Sequence, residues 1–249
     1  MEFIELQKDA GIVKVILHRG KVNALNDQVI AELHSTLIDL EKDLNVKAIV
    51  ISGSGKFFSF GFDIPEFLSY SKQKFTDYLV RFTDLYAYIF FYPKPVIAAI
   101  NGHAIAGGCM LALAGDKRIM VSGKAKISLN EINFGSSVFA GSTEMLRFCA
   151  GDKNAAEILY SGAMYSAEEA KELGLIDIFT NENDLMKVAT TLALELGEKP
   201  VPAFASIKSL LRKSFADEMK LKEKESIKRF VDIWYSESTW KYLQNIKIH

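Results

Sequence analysis

Three segments of the chain contain glycines in turns, or a carboxylate, that could bind or react with a ligand. They are residues 57–64 (FFSFGFDI), 101–109 (NGHAIAGGC) and 128–135 (SLNEINFG). Glycine in the first two segments lets the backbone approach a ligand closely. At Gly107 a helix begins, so its first amides have no helical partner and lie at the positive end of the helix dipole. Two such amides on separate loops would form an oxyanion hole, although strand-to-helix turns also need glycine for packing.

The hydrophobic pattern predicts the elements that must position these segments. Alternation predicts a hairpin of strands at residues 3–7 and 11–17. Short apolar runs predict further strands at 47–52, 96–100, 118–121, 126–129 and 176–179. Apolar residues at helical spacing predict helices at 26–43 and 75–91. A glycine-bearing turn is predicted at 102–108, followed by a helix to about residue 114. The chain is predicted to be helical from about residue 154, with two charged amphipathic helices at 204–214 and 217–235. Strands that alternate with helices indicate an α/β fold with a mostly parallel sheet.

The composition limits the class of protein. The 249 residues are 49% hydrophobic and carry 31 acidic against 30 basic side chains. Because intrinsic disorder needs low hydrophobicity and high net charge, we predict a folded chain. We expect no nucleic-acid partner, since there is no basic surplus to neutralise phosphates. The two cysteines cannot form a disulfide framework and no metal-ligand spacing occurs, so we predict no metal site and a reducing compartment.

The sequence shows none of the usual targeting or membrane patterns. Residues 1–20 contain three acidic side chains and no basic region followed by an apolar run, unlike a secretory signal or a transit peptide. Residues 247–249 are not the peroxisomal Ser-Lys-Leu. The most apolar stretch, 85–100, is interrupted by two prolines and is too short to span a bilayer. We therefore expect a cytoplasmic protein that does not associate with membranes.

Five motifs resemble those of the crotonase family, the enoyl-CoA hydratase/isomerase superfamily, and the resemblance runs from about residue 3 to the end. The motifs are KVNALN at 21–26, FSFGFD at 58–63, KPVIAAING at 94–102, AGGC at 106–109 and AKELGLID at 170–177. The resemblance implies a crotonase-type spiral of ββα units with a C-terminal helical region. Near residue 200 the predicted elements change from strands and helices to helices only. Together with the resemblance, this change suggests a core that carries the site over residues 1–200 and a helical trimerisation region over 201–249. Homotrimers or dimers of trimers are the implied assembly.

The resemblance also implies a site and its chemistry. Matched position by position, the two oxyanion amides of the family are those of Phe62 and Gly107. Hydratases of the family use two glutamates, and the matching positions here are Met110 and Glu131. Because adding water needs a second group while moving a double bond needs one base, the chain looks like a Δ3,Δ2-enoyl-CoA isomerase of fatty-acid oxidation. Glu131 would move a proton from C2 to C4 of the substrate.

Further residues match positions that contact substrate in the family. They are Asn23, Ala24, Leu25, Phe60, Gly61, Asp63, Ile64, Met110 and Asn130. The implied partner is an acyl-CoA thioester, and no cofactor is implied because the substrate itself carries coenzyme A. Two departures from the family stand out. Phe60 fills a position that is usually small, and residues 136–141 lack the proline typical of hydratases.

The residues alone leave other interpretations open. Glu131 could be a surface or capping residue, Asn130 a turn residue and Asp63 a loop cap. The aromatic residues of 75–91 fit core packing, or part of an acyl pocket. If the apolar residues near Glu131 line its pocket, burial raises its pKa; they are Ile132, Phe134, Val138 and Phe139. The alternative functions are another enolate-forming crotonase (a hydratase, or a decarboxylase of acyl thioesters) and a non-catalytic acyl-CoA-binding protein.

Overall fold

A computed structural model describes residues 1–246 of the chain. Residues 247–249, which end the predicted helical region and include the position of a peroxisomal signal, lie outside the described residues. Within residues 1–246, no helix has the length and apolar character needed to cross a bilayer.

The larger of two sheets has six strands, in the order β1-β2-β3-β5-β7-β9. The strands are β1 Ile4–Asp9, β2 Ile12–Leu17, β3 Ala48–Gly53, β5 Val96–Ile100, β7 Lys117–Val121 and β9 Ile178–Thr180. β1 and β2 form an antiparallel hairpin, and every other neighbouring pair in this sheet is parallel. The mostly parallel sheet that the sequence predicted is confirmed, with boundaries that agree within about two residues.

The smaller sheet is parallel and has three short strands in the order β4-β6-β8. They are β4 Phe57–Ser59, β6 His103–Ile105 and β8 Ile127–Ser128. The hydrophobic pattern predicts no strand at 57–59 and only a turn at 102–108, and both predictions are wrong. A strand of three residues is too short to show the alternation on which strand prediction depends.

Nine helices and one 3₁₀ turn complete the described part of the chain. The helices are α1 Asp27–Lys42, α2 Ile64–Phe67, α3 Lys72–Phe91, α4 Gly107–Ala114, α5 Ala140–Ser161, α6 Ala167–Glu172, α7 Leu185–Gly197, α8 Val201–Trp234 and α9 Glu237–Leu243, and the 3₁₀ turn is Glu131–Phe134. α5 begins well before the predicted helical region at residue 154 and is kinked at Gly151.

The two helices predicted at 204–214 and 217–235 are one continuous helix, α8, of 34 residues. The prediction of a break was wrong because residues 215–216, Phe-Ala, contain no glycine or proline that would end a helix. Phe215 instead packs edge-on against Phe148 of α5, with ring centroids 5.2 Å apart. α8 begins at Val201, where the C-terminal region was expected to begin.

The aromatic residues of α3 lie in the core between the sheets and α8. Five of them are fully buried and none lines the pocket described below: Phe75, Tyr78, Phe82, Tyr86 and Phe90. Phe75 contacts Trp234 of α8, with ring centroids 4.6 Å apart. The core-packing interpretation of this segment is therefore confirmed.

The order of elements repeats in a way that positions the site. Three times the chain forms a strand of the large sheet, then a strand of the small sheet, and then a helix: β3-β4-α2, β5-β6-α4 and β7-β8 followed by the 3₁₀ turn and α5. This spiral of ββα units with helices at the C-terminal end is the predicted fold class.

Candidate active site

The three segments singled out by their chemistry meet at one edge of the small sheet. β4 ends at Ser59, β6 at Ile105 and β8 at Ser128. Because the carboxyl ends of parallel strands meet at the same edge of a sheet, the residues that follow these strands are brought together. Phe62, Gly107 and Glu131 follow the three strands in turn and line one pocket.

Within residues 1–246, the backbone amides of Phe62 and Gly107 at this edge donate to no acceptor, as is also true of Gly108 and Cys109 in the first turn of α4. Gly107 is the first residue of α4, so its N–H has no acceptor in the helix. Ala106 precedes it with φ 50° and ψ −118°, a backbone conformation that non-glycine residues rarely adopt. The Ala106 amide donates to Ser128 O at 2.8 Å, and its carbonyl accepts from Met110 N at 3.0 Å, which holds this strained peptide in place.

The loop that carries Phe62 lies directly against the start of α4. Gly61 has φ +89°, and a Cβ there would lie 2.7 Å from Ile105 O and 3.0 Å from Gly107 N. Any larger residue at position 61 would therefore push the two loops apart. The close approach puts the free amides of two different ββα units on the same pocket.

The Phe62 amide is held by its own side chain and by its neighbours. The Phe62 ring packs edge-on against Phe82, with centroids 4.9 Å apart. Asp63 caps α2 by accepting from Glu66 N at 3.2 Å, and it forms an ion pair with Arg19 at 2.7 Å. These contacts fix the loop from both sides, so the amide direction is preset before a ligand binds.

Glu131 begins the 3₁₀ turn that follows β8. Its side chain is buried, with the whole residue 4% exposed, and its Oε2 atom has no hydrogen-bond partner within residues 1–246. Burial raises the pKa of Glu131 to about 8, because the ionised form loses hydration with little compensation. A carboxyl group with this pKa is a stronger base than an exposed glutamate and can release its proton near neutral pH.

The pocket has a volume of about 210 Å³ and is mostly apolar. Its lining residues are Phe60, Phe62, Ile64, Ile105, Ala106, Gly107, Asn130, Glu131, Phe134, Phe230, Trp234, Tyr242 and Ile246. Glu131 is the only carboxylate among these residues, and no lysine, arginine or histidine of the described chain lines the pocket. The site therefore offers one base, two free amide donors and an apolar wall.

Half of the residues predicted for the site line this pocket. They are Phe60, Phe62, Ile64, Gly107, Asn130 and Glu131. The other six, which do not line it, are Asn23, Ala24, Leu25, Gly61, Asp63 and Met110. The roles of all twelve residues in binding or catalysis stay predictions.

Asn23 has a clear structural task. The side-chain Nδ2 of Asn23 donates to Phe57 O at 2.8 Å and to Ser54 O at 3.0 Å, and the backbone carbonyl of Asn23 accepts from Ser59 Oγ at 2.8 Å. Leu25 N donates to Gly61 O at 2.7 Å, so residues 23–25 support the Phe62 loop from below. Met110 is buried within α4 and places its thioether in the core.

Six of the thirteen lining residues had no predicted site role: Ile105, Ala106, Phe230, Trp234, Tyr242 and Ile246. Phe230 and Tyr242 belong to a C-terminal stretch that is similar to isomerases of the family, but no contact with substrate was predicted for them. Four of the six come from the C-terminal end of the chain, about 100 residues beyond Glu131, and no local pattern connects them to it. Of the four apolar residues near Glu131 that were considered as possible lining, only Phe134 lines the pocket. Ile132 is 48% exposed, and Phe139 packs in the core against Phe230.

Known proteins similar to this chain share one family. The sequence model described as enoyl-CoA hydratase/isomerase matches residues 7–244. A Bacillus subtilis protein named a probable enoyl-CoA hydratase is 35% identical over 98% of this chain and 95% of its own length. The probable enoyl-CoA hydratase EchA17 of Mycobacterium tuberculosis is 35% identical over 81% of this chain and 77% of its own. The crystal structure of human mitochondrial Δ3-Δ2-enoyl-CoA isomerase has a TM-score of 0.93 at 25% identity, covering 97% of this chain and 95% of its own.

Proposed function

We propose that this chain, which belongs to the enoyl-CoA hydratase/isomerase family, is a Δ3,Δ2-enoyl-CoA isomerase. Membership makes it an enzyme of acyl-CoA thioesters, and the proposal concerns which reaction it catalyses. The observation that carries the proposal concerns residues 1–246: Glu131 is the only carboxylate that lines the pocket, and the free amides of Phe62 and Gly107 belong to residues that line it too. Migration of a double bond needs one base, which this pocket has.

The proposed reaction begins when the thioester carbonyl of a 3-enoyl-CoA accepts hydrogen bonds from Phe62 N–H and Gly107 N–H. These donors make the C2 proton more acidic, because they stabilise the negative charge that develops on the oxygen. Ionised Glu131 takes the C2 proton, and the electron pair moves into a dienolate. Protonated Glu131 then gives the proton to C4, which leaves the double bond between C2 and C3.

The step uses only the substrate and groups of the chain itself. Coenzyme A enters as part of the substrate, and we propose that no further cofactor takes part. The free amides contribute the largest electrostatic effect, since one donor of this kind is worth roughly 3–4 kcal/mol of transition-state stabilisation. Asn130 lines the pocket beside the base and is positioned to contact the acyl group.

Enoyl-CoA hydratase is the second candidate, because the two 35%-identical relatives carry that name. Hydration needs one group to activate water and another to protonate carbon. Met110 stands where hydratases have the second acid, and it lies outside the pocket lining. A hydratase with this pocket would have to use Glu131 both to activate a water molecule and to protonate carbon. The proposed isomerase also uses Glu131 for both of its proton transfers, but it needs no water molecule.

Two assays on the purified protein separate these candidates: isomerisation of 3-hexenoyl-CoA and hydration of crotonyl-CoA. The proposal expects isomerisation with little or no hydration. Glu131→Gln should lower isomerisation by roughly 10²–10⁴-fold and leave substrate binding in place. Glu144→Gln is the control, since Glu144 is equally buried but lies on α5 outside the pocket. Hydration as the faster reaction, or full activity of Glu131→Gln, would reject the proposal.

We further propose that the chain assembles as a homotrimer or a dimer of trimers. The first third of α8 supports this assembly, because charged side chains there are buried in the chain while apolar side chains are exposed. Lys208 and Arg212 are buried, while Ile207, Leu210 and Leu211 are 58%, 73% and 63% exposed. Contiguous exposed leucines on a helix are typical of a surface that another subunit covers.

A further inference from the structure

We infer that the aromatic pair Phe134 and Tyr242 closes the far end of the pocket and limits the acyl group to about eight carbon atoms. The inference rests on the proposed function only in taking acyl-CoA thioesters as the ligands. It concerns the length of the acyl chain, which membership of the family does not specify.

Buried and exposed residues both line the pocket. Glu131, Gly107, Phe230 and Trp234 are buried, whereas Tyr242 of α9 is 52% exposed. Tyr242 therefore lies where the pocket reaches the protein surface, and we take α9 as the far end of the acyl site.

The direction of the acyl tail follows from the support of the Phe62 loop. Phe60 N donates to Val22 O at 2.9 Å, so Phe60 lies beside the segment 23–25 where the coenzyme A part is expected. The thioester then sits at the free amides, and the tail continues away from Phe60 toward Tyr242.

The far end is closed by contacts between α9 and the 3₁₀ turn. The rings of Phe134 and Tyr242 stack with centroids 6.4 Å apart and an interplanar angle of 27°. Thr239 Oγ1 donates to Gly135 O at 2.7 Å, which holds α9 against the turn that carries Glu131. The wall is thus tied to the catalytic segment.

The volume sets the length. A cavity of ~150 Å³ binds benzene, which has six carbons. At the same volume per carbon, the pocket of about 210 Å³ holds roughly eight carbons, counted from the thioester carbonyl. Up to that length each added methylene should strengthen binding about fourfold, and further methylenes should add nothing because they meet the wall.

The test is calorimetric binding of saturated acyl-CoAs from two to sixteen carbons. These ligands have no double bond to move or hydrate, so the result stands whether or not the proposed isomerisation is correct. Binding to the natural chain should strengthen to about eight carbons and then level off or weaken. Tyr242→Ala should leave acetyl-CoA binding within about twofold and bind the twelve-carbon ligand at least tenfold more tightly.

The control is Tyr160→Ala, which removes an exposed tyrosine of α5 that does not line the pocket. Its binding profile should match that of the natural chain, and thermal melting of each variant confirms folding. The inference is overturned if affinity keeps rising to sixteen carbons in the natural chain. It is also overturned if Tyr242→Ala changes nothing, or if it weakens acetyl-CoA and all longer ligands equally, which would place Tyr242 at the coenzyme A entrance.

Discussion

Within residues 1–246, Glu131 differs from Glu144 and Glu223 in that no other residue compensates its charge, and only its own backbone amide opposes the rise in its pKa. Glu144 is equally buried but pairs with Arg147 at 3.0 Å, and half-buried Glu223 accepts from Gly141 N at 2.8 Å. Among the described residues, no hydrogen bond reaches the Oε2 atom of Glu131. An uncompensated buried carboxyl group lowers stability, and such groups cluster at functional sites because catalysis needs a shifted pKa.

The raised pKa predicts the pH dependence of catalysis. Burial raises the pKa of Glu131 to about 8, and the proposed base is the ionised form. The value of kcat/KM for 3-hexenoyl-CoA should therefore rise about tenfold per pH unit below pH 8 and level off above it. Initial rates between pH 5.5 and 9.5 measure this. A plateau that already begins at pH 6 would mean that Glu131 is not the base or is not desolvated.

The same pKa predicts a pH-dependent change in stability. The folded state holds the Glu131 proton up to about pH 8, whereas the unfolded chain releases it near the ordinary value of 4.5. Stability from this group is therefore present below pH 4.5 and is lost as the pH rises toward 8, by up to about 1.4 kcal/mol per unit. Glu131→Gln removes this loss, so its advantage in Tm over the natural chain should grow from pH 5 to pH 9. An advantage that is the same at every pH would contradict the assigned pKa.

At the scale of elements, the small sheet does most to assemble the site. Its three strands contain only eight residues, yet each ends within one of the three site segments. α4 supplies a free amide because Gly107 is its first residue, and the 3₁₀ turn brings Glu131 to the same pocket. The C-terminal helices complete the pocket with Phe230, Trp234 and Tyr242.

The sequence predicted about half of the residues that line the pocket and missed its C-terminal wall, for a physical reason. Local pattern points to Gly107, where a glycine-bearing turn opens a helix, whereas Phe62 and Glu131 were predicted from the family resemblance. Trp234 and Tyr242 look like ordinary apolar residues of amphipathic helices, and only long-range packing brings them to Glu131. The continuous helix α8 was missed because a change in charge pattern near residue 215 resembles a boundary although no helix breaker is present.

The tether between α9 and the 3₁₀ turn can be tested with an isosteric change. Thr239→Val removes the hydrogen bond to Gly135 O and keeps the shape of the buried side chain. We expect a loss of about 1 kcal/mol in stability and faster amide exchange in α9, with exchange in α4 unchanged. Thr76→Val is the matched control on the exposed face of α3, where the hydroxyl also donates to a carbonyl. Equal exchange in both variants would show that Thr239 does not hold α9.

At the scale of the whole molecule, α8 has two surfaces with different tasks. Its C-terminal turns cover the active-site pocket through Phe230 and Trp234. Its N-terminal turns bury Lys208, which pairs with Asp116 at 2.9 Å, and expose Leu210 and Leu211. Burial lowers the pKa of Lys208 to about 8, and the nearby carboxylate opposes that shift. One helix therefore links the proposed subunit interface to the pocket.

The proposed assembly predicts a change in mass on substitution of one exposed leucine. Leu210→Glu places a charge in the centre of the apolar surface of α8, so the trimer should dissociate. Light scattering during gel filtration should give three or six times the monomer mass for the natural chain and a lower value for the variant. Leu44→Glu, at a 95% exposed position away from α8, should keep the mass of the natural chain. A monomeric natural chain would contradict the assembly.

The central claim, that a single buried carboxyl group carries the proton from C2 to C4, is tested most directly with a 3-enoyl-CoA deuterated at C2. Because Glu131 is 4% exposed, the deuteron that it removes should exchange slowly with water before delivery. In a single turnover in ordinary water, mass spectrometry should then find a substantial share of the label at C4 of the 2-enoyl product. A C4 hydrogen that comes wholly from solvent would contradict transfer by one enclosed carboxyl group.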